Sequence, residues 1–130
     1  MSNEALTETL LDTLRHTLED AKALDTRVLD VHELTTVTDY MVVASGTSSR
    51  HVRSIAQRLR EATEKMGFPM LGVEGEQAAE WVLLDLGEVV VHVFQAAIRP
   101  FYAIERLWDL AEHLPDHSST SQAEGHGLSP

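Results

Sequence analysis

Between residues 4 and 24, leucine returns every third or fourth position. Leu6, Leu10, Leu14 and Leu18 lead to Ala21, with Leu11 widening the stripe, and the intervening positions are mostly polar. That spacing is the apolar side of an amphipathic helix. The period then changes. RVLDVH, Arg27 to His32, alternates apolar and polar residues as a half-buried strand does, and DYMVVAS, Asp39 to Ser45, is the more continuous apolar run of a central strand. ELTTVT between them reads as a loop. From Ser48 the helical period returns through Val52, Ile55, Ala56, Leu59, Ala62 and Met66, and Gly67 followed by Pro69 ends it.

PMLGVEG reads as a short strand. WVLLDLGEVVVHVF then reads as two, Trp81 to Leu86 and Val89 to Phe94, joined by Gly87 and Glu88 in a two-residue antiparallel turn. Phe101, Ile104, Leu107, Trp108 and Ala111 mark a third helix, with Pro100 in its first turn and Pro115 closing it. The predicted order is helix, two strands, helix, three strands, helix. This is an α/β or α+β domain over residues 1–114, built around a five-stranded mixed sheet. Residues 115–130, PDHSSTSQAEGHGLSP, carry almost no apolar content and read as a disordered tail.

A chain of 130 residues is long enough for one domain with its own core. It has no cysteine, which removes disulfides, thiolate metal sites and a cysteine nucleophile. The N-terminus has acids and no basic leader, and no apolar run approaches the roughly 18 to 20 residues that span a bilayer, so a soluble cytoplasmic protein is expected. A net charge of -11 argues against general nucleic-acid binding and suits a basic protein partner.

The strand-to-helix turn SGTSSR, Ser45 to Arg50, is the first candidate for chemistry. Gly46, Thr47, Ser48 and Arg50 could hold an anion at the helix start; equally, Thr47 or Ser48 caps the helix while Gly46 permits the turn. A P-loop would need a Gly-Lys-Ser/Thr ending, and a nucleophile elbow a second glycine where Arg50 stands. Two-metal nucleotidyl transfer needs clustered carboxylates soon after such a loop, and Gly46 to Arg60 contains no Asp or Glu. No catalytic residue and no cofactor is therefore expected. Nor is a metal site: Pro115 separates His113 from His117, His126 lies in the tail, and His92 is read as a hydrogen-bonded sheet residue.

Alternation in the hairpin sends Trp81, Leu83 and Asp85 to one face and Val82, Leu84 and Leu86 to the other. Helices packed mainly on one face would leave Trp81 accessible, with Glu74, Glu76, Glu80 and Asp85 as an acidic rim, an arrangement suited to a protein partner; the alternative is that Trp81 is core. The next strand cannot be sorted in this way, because Val90, His92 and Phe94 and the set Val89, Val91 and Val93 are both mostly apolar.

Taken together, TDYMVVASGTSSRHVRSIA, GVEGEQAAEWVLLDLGEVVVHVF and RPFYAIERLW resemble the ribosomal silencing factor family, also called Iojap-like, over Leu6 to Trp108. Glu74, Gly75, Trp81, Leu83, Asp85, Gly87, His92, Phe101, Tyr102 and Trp108 match its characteristic positions by type. The resemblance implies a nucleotidyltransferase-like sheet without the catalytic carboxylates, flanked by three main helices. It implies a non-enzymatic factor that docks on ribosomal protein fourteen of the large subunit, blocks joining of the small subunit, and represses translation when nutrients are short. Glu74, Glu76, Trp81, Leu83 and Asp85 are the expected partner-binding residues, and Tyr102, Leu107 and Trp108 the expected packing residues. A minor contact with ribosomal RNA and a homodimer are compatible with it. The competing reading is a nucleotide- or anion-binding enzyme related to the nucleotidyltransferases and using the Gly46 loop.

Overall fold

The order of elements is α1 (Asn3–Asp20), β1 (Leu24–Asp30), β2 (Tyr40–Gly46), α2 (Ser49–Lys65), β3 (Gly72–Glu74), β4 (Trp81–Asp85) and β5 (Val89–Gln95). The computed structural model describes residues 3–33, 36 and 38–99. The expected third helix, with Phe101, Tyr102, Leu107 and Trp108, and the tail lie outside them, as do His113, His117 and His126. Among the described residues no helix is long and apolar enough to cross a membrane.

The five strands form one mixed sheet in the order β1-β2-β5-β4-β3. Only β2 and β5 run parallel; every other neighbouring pair is antiparallel. The two central strands are the most continuous apolar runs, because a strand covered on both faces has no solvent side on which to place polar residues. The β4–β5 hairpin closes as its sequence predicts, with Leu86 N donating to the Val89 carbonyl at 2.9 Å and Gly87 at φ 90°.

The leucine stripe of α1 and the apolar face of α2 meet on one side of this sheet. Leu10, Leu11, Leu14 and Leu18 pack in one cluster with Val52, Ile55, Ala56 and Leu59 and with the strand residues Val42, Ala44, Val82, Leu84, Val89, Val91 and Val93. Burying a leucine or valine of this kind contributes about 1.5 to 3 kcal/mol. Leu6 departs from the expected stripe and is exposed. Its neighbour Thr7 is the anchor of the first turn, its hydroxyl donating to the Glu88 carboxylate at 2.6 Å.

Helix α2 ends as Gly67 and Pro69 suggest. Gly67 takes φ 86°, its N–H reaches the Glu64 carbonyl, and the Phe68 N–H reaches the Thr63 carbonyl, which completes a Schellman cap. Strand β1 begins three residues before the alternating stretch that predicted it and stops at Asp30. Its extent follows β2: Leu24 lies opposite Ser45 and Asp30 opposite Tyr40, with the register shifting between Leu24 and Arg27. Asp25 and Thr26 are exposed and fall within that shift, Asp25 at φ 49°, so the alternation of the chain does not mark this end of the strand.

Candidate partner interface

Register decides which side chains share the sheet face turned away from α1 and α2. Leu29, Met41, Val90 and Asp85 form one row across the strands; Arg27, Val43, His92, Leu83 and Glu74 form the next; Ser45, Phe94 and Trp81 form the third. Val43 and Phe94 are fully buried and form a second, smaller cluster with Leu29, Met41 and Trp81 against them. The alternation of β4 is observed directly: Val82 and Leu84 are buried among the helices, while Trp81, Leu83 and Asp85 remain half-buried. The same register resolves β5, sending Val89, Val91 and Val93 to the helices and His92 and Phe94 to the far face.

Trp81 is held by its neighbours. Its ring centroid lies 5.0 Å from that of Phe94, and its indole Nε1 donates to His92 Nδ1 at 3.0 Å. An indole N–H only donates, so His92 Nδ1 carries no proton and Nε2 carries the hydrogen. Burial holds the His92 pKa down to about 4, because the charged ring would lose its hydration. The sequence shows His92 as a polar residue within a strand; its partner became visible only when β4 and β5 were set in register.

The expected acids do not all gather at this face. Asp85 lies on it, but one carboxylate oxygen accepts from the Gly87 N–H at 2.8 Å, so this side chain also holds the hairpin turn. Glu74 is exposed opposite Leu83 at the edge strand. Glu80 is exposed too, and its carbonyl accepts from Gln95 N at 2.9 Å. Glu76 points elsewhere: its carboxylate pairs with Arg60 of α2 at 3.0 Å, and its carbonyl accepts from Arg53 Nε. Between Glu74 and Trp81 the chain makes a tight loop. Gly75 has φ 87°, and a Cβ there would overlap the Trp81 carbonyl oxygen, so only glycine lets the loop close and deliver Trp81 to β4.

In the other candidate region, Ser48 caps α2, its hydroxyl accepting from His51 N at 3.1 Å. Gly46 serves close approach and not a left-handed turn: a Cβ there would stand 3.0 Å from the Val52 side chain and 3.2 Å from His51 Nδ1. His51, which the sequence pattern does not single out, organises this loop. Its Nδ1 accepts from Thr47 N at 2.9 Å, and Nε2 lies 2.8 Å from the Ala21 carbonyl, joining the start of α2 to the end of α1. Arg50 is exposed. On the far face, buried Ser45 accepts from Arg99 at 2.6 Å, a long-range pair with no local signal in the sequence.

This architecture recurs in proteins of known family. The family model described as ribosomal silencing factor during starvation matches residues 4–127. The chain belongs to the ribosomal silencing factor family. It is 38% identical over 99 residues to ribosomal silencing factor RsfS of Haemophilus influenzae, covering 76% of this chain and 97% of that one. A crystal structure of a Chromobacterium violaceum protein superimposes with a TM-score of 0.75 at 38% identity, covering 78% of this chain and 85% of that chain. A more distant family relative is the mouse protein named mitochondrial assembly of ribosomal large subunit protein 1. It is 32% identical over 103 residues, 77% of this chain and 45% of that protein.

Proposed function

We propose that the protein docks on ribosomal protein fourteen of the large ribosomal subunit through the sheet face bearing Trp81 and Leu83. There it blocks joining of the small subunit and so represses translation in the cytoplasm under nutrient limitation. The observation that carries this reading is the family match over nearly the whole chain. The name of the mouse relative, which includes the large ribosomal subunit, points the same way. The face itself supports it: a half-buried aromatic anchor and Leu83, with exposed Glu74 at the edge, is the composition of a surface that meets a basic protein.

The proposed role is regulatory and not catalytic. In the strand-to-helix loop the Ser48 hydroxyl accepts from the helix and the Thr47 N–H is engaged by His51, an arrangement that serves helix capping. The test is sedimentation. The protein is expected to travel with purified large subunits and not with small ones, and to lower the yield of joined ribosomes when added to separated subunits. Binding to small subunits alone would overturn the proposal.

A further inference from the structure

The acidic balance of the whole chain conceals a local reversal. Five of its ten lysines and arginines, Arg50, Arg53, Arg58, Arg60 and Lys65, lie on α2, together with only Glu61 and Glu64 of its 21 acids. The helix therefore carries +3 and the remainder of the chain -14. All four arginines are exposed. The first acid on the helix is Glu61, so Arg50 to Arg60 is an uninterrupted basic stretch about 15 Å long.

Two of these guanidinium groups are already positioned. Arg53 donates to the carbonyls of Glu76 and Gln77 at 3.2 and 2.8 Å, and Arg60 pairs with the Glu76 carboxylate, each offsetting the charge of the other. The other two, Arg50 and Arg58, make no hydrogen bond or ion pair among the described residues. An open depression of about 580 Å³ lies between α2 and the loop, lined by Arg53, Ser54, Gln57, Glu76 and Gln77.

We infer that the outer face of α2 is a second docking surface, and that its partner is the phosphate backbone of ribosomal RNA. Arginine in four of the five basic positions fits phosphate, which the planar guanidinium grips with two parallel hydrogen bonds. The acids of the rest of the chain do not defeat this. At physiological ionic strength, exposed charges separated by more than about 8 Å are largely screened, so the local patch and not the net charge decides what α2 attracts. Because α2 covers the face of the sheet opposite Trp81 and Leu83, this contact is separate from the protein-docking face. The choice of ribosomal RNA rests on the family reading.

The test is a double charge reversal, Arg50→Glu with Arg58→Glu, at two side chains that hold nothing else in place. Far-ultraviolet dichroism and melting confirm folding, and Arg50→Gln with Arg58→Gln provides a second variant should the reversal perturb the helix. Binding is measured to protein-free ribosomal RNA and to intact large subunits between 50 and 200 mM salt. The expected result is at least a tenfold loss of affinity for the free RNA at the low-salt end. The slope of log affinity against log salt should also become shallower by about 1.5 to 2, as expected for two lost phosphate contacts. Unchanged RNA affinity and slope in both variants would overturn the inference, as would a loss seen only with intact large subunits. RNA binding that depends on α2 in a protein that ignores large subunits would sink the silencing proposal and leave this surface standing.

Discussion

Trp81 and His92 are diagonal neighbours across β4 and β5, with the indole N–H pointing at an imidazole nitrogen that must stay unprotonated to receive it. Replacing Trp81 by phenylalanine keeps a ring against Phe94 but leaves His92 Nδ1, on a side chain that is nearly buried, without its donor. Trp81→Phe is expected to lower folding stability by about 1 to 2 kcal/mol, read by urea titration. Trp81→Ala also removes the ring, and should cost more. A Trp81→Phe variant as stable as the parent would mean that the hydrogen bond contributes nothing.

The same pair sets a pH dependence. Folded His92 stays neutral down to about pH 4, whereas in the unfolded chain its value returns to 6.5, so between these limits the unfolded state binds more protons. Stability is therefore full above pH 6.5 and falls as pH drops towards 4, by on the order of 3 kcal/mol across the window. His92→Asn, whose side-chain oxygen can accept the indole N–H, should flatten the stability curve there. His32 works in the opposite sense: the hydrogen bond that its ring donates to the Asp30 carboxylate raises its pKa, so its contribution is complete below 6.5 and is lost as pH rises through the raised value. The two windows do not overlap, and a wild-type curve without a slope between pH 4 and 6.5 would contradict the assignment to His92.

Glycine is required at Gly75 for two reasons and at Gly67 for one. Both have positive φ, but a Cβ at Gly75 would overlap the Trp81 carbonyl, while one at Gly67 meets nothing within 4 Å. Gly67→Ala should cost about 1 kcal/mol, the conformational penalty alone. Gly75→Ala should cost several times more and should disturb Trp81 fluorescence, because the loop must shift to make room.

Sequence spacing conveyed some of this and not the rest, for physical reasons. The α1 and α2 stripes and the β4 alternation were legible because each element buries one side only, and a one-sided element writes its period into the sequence. Strand β5 contributes to both faces, so its valines, His92 and Phe94 were separable only by the register with β4. Glu76 looked like a neighbour of Glu74, two positions away, yet the Gly75 turn carries it to Arg60. Similarly, the basic surface of α2 was hidden in a net charge summed over the whole chain.

Ser48→Ala tests the loop after β2. Loss of the cap should lower stability by about 1 kcal/mol and leave large-subunit binding unchanged. If the variant instead abolished a magnesium-dependent turnover of nucleotide, the loop would be a catalytic site and the regulatory reading would fail.

The docking face calls for substitutions that separate folding from binding. Asp85→Lys would confuse them, because the carboxylate also accepts from Gly87 N. Asp85→Asn keeps an oxygen for that bond and removes only the charge, and Glu74→Lys reverses the charge of an exposed side chain. Both are expected to melt within a few degrees of the parent and to weaken large-subunit binding, more strongly at low salt, where an acidic edge facing a basic protein is less screened. Leu83→Ala, in the row between His92 and Glu74, should weaken binding by about 1 to 2 kcal/mol with little salt dependence, because the lost contact is apolar. Equilibrium sedimentation at 50 and 200 mM salt distinguishes the two kinds of loss. If all three variants stay folded and bind as the parent does, the partner sits on another surface, and the half-buried side chains around Trp81 serve packing alone.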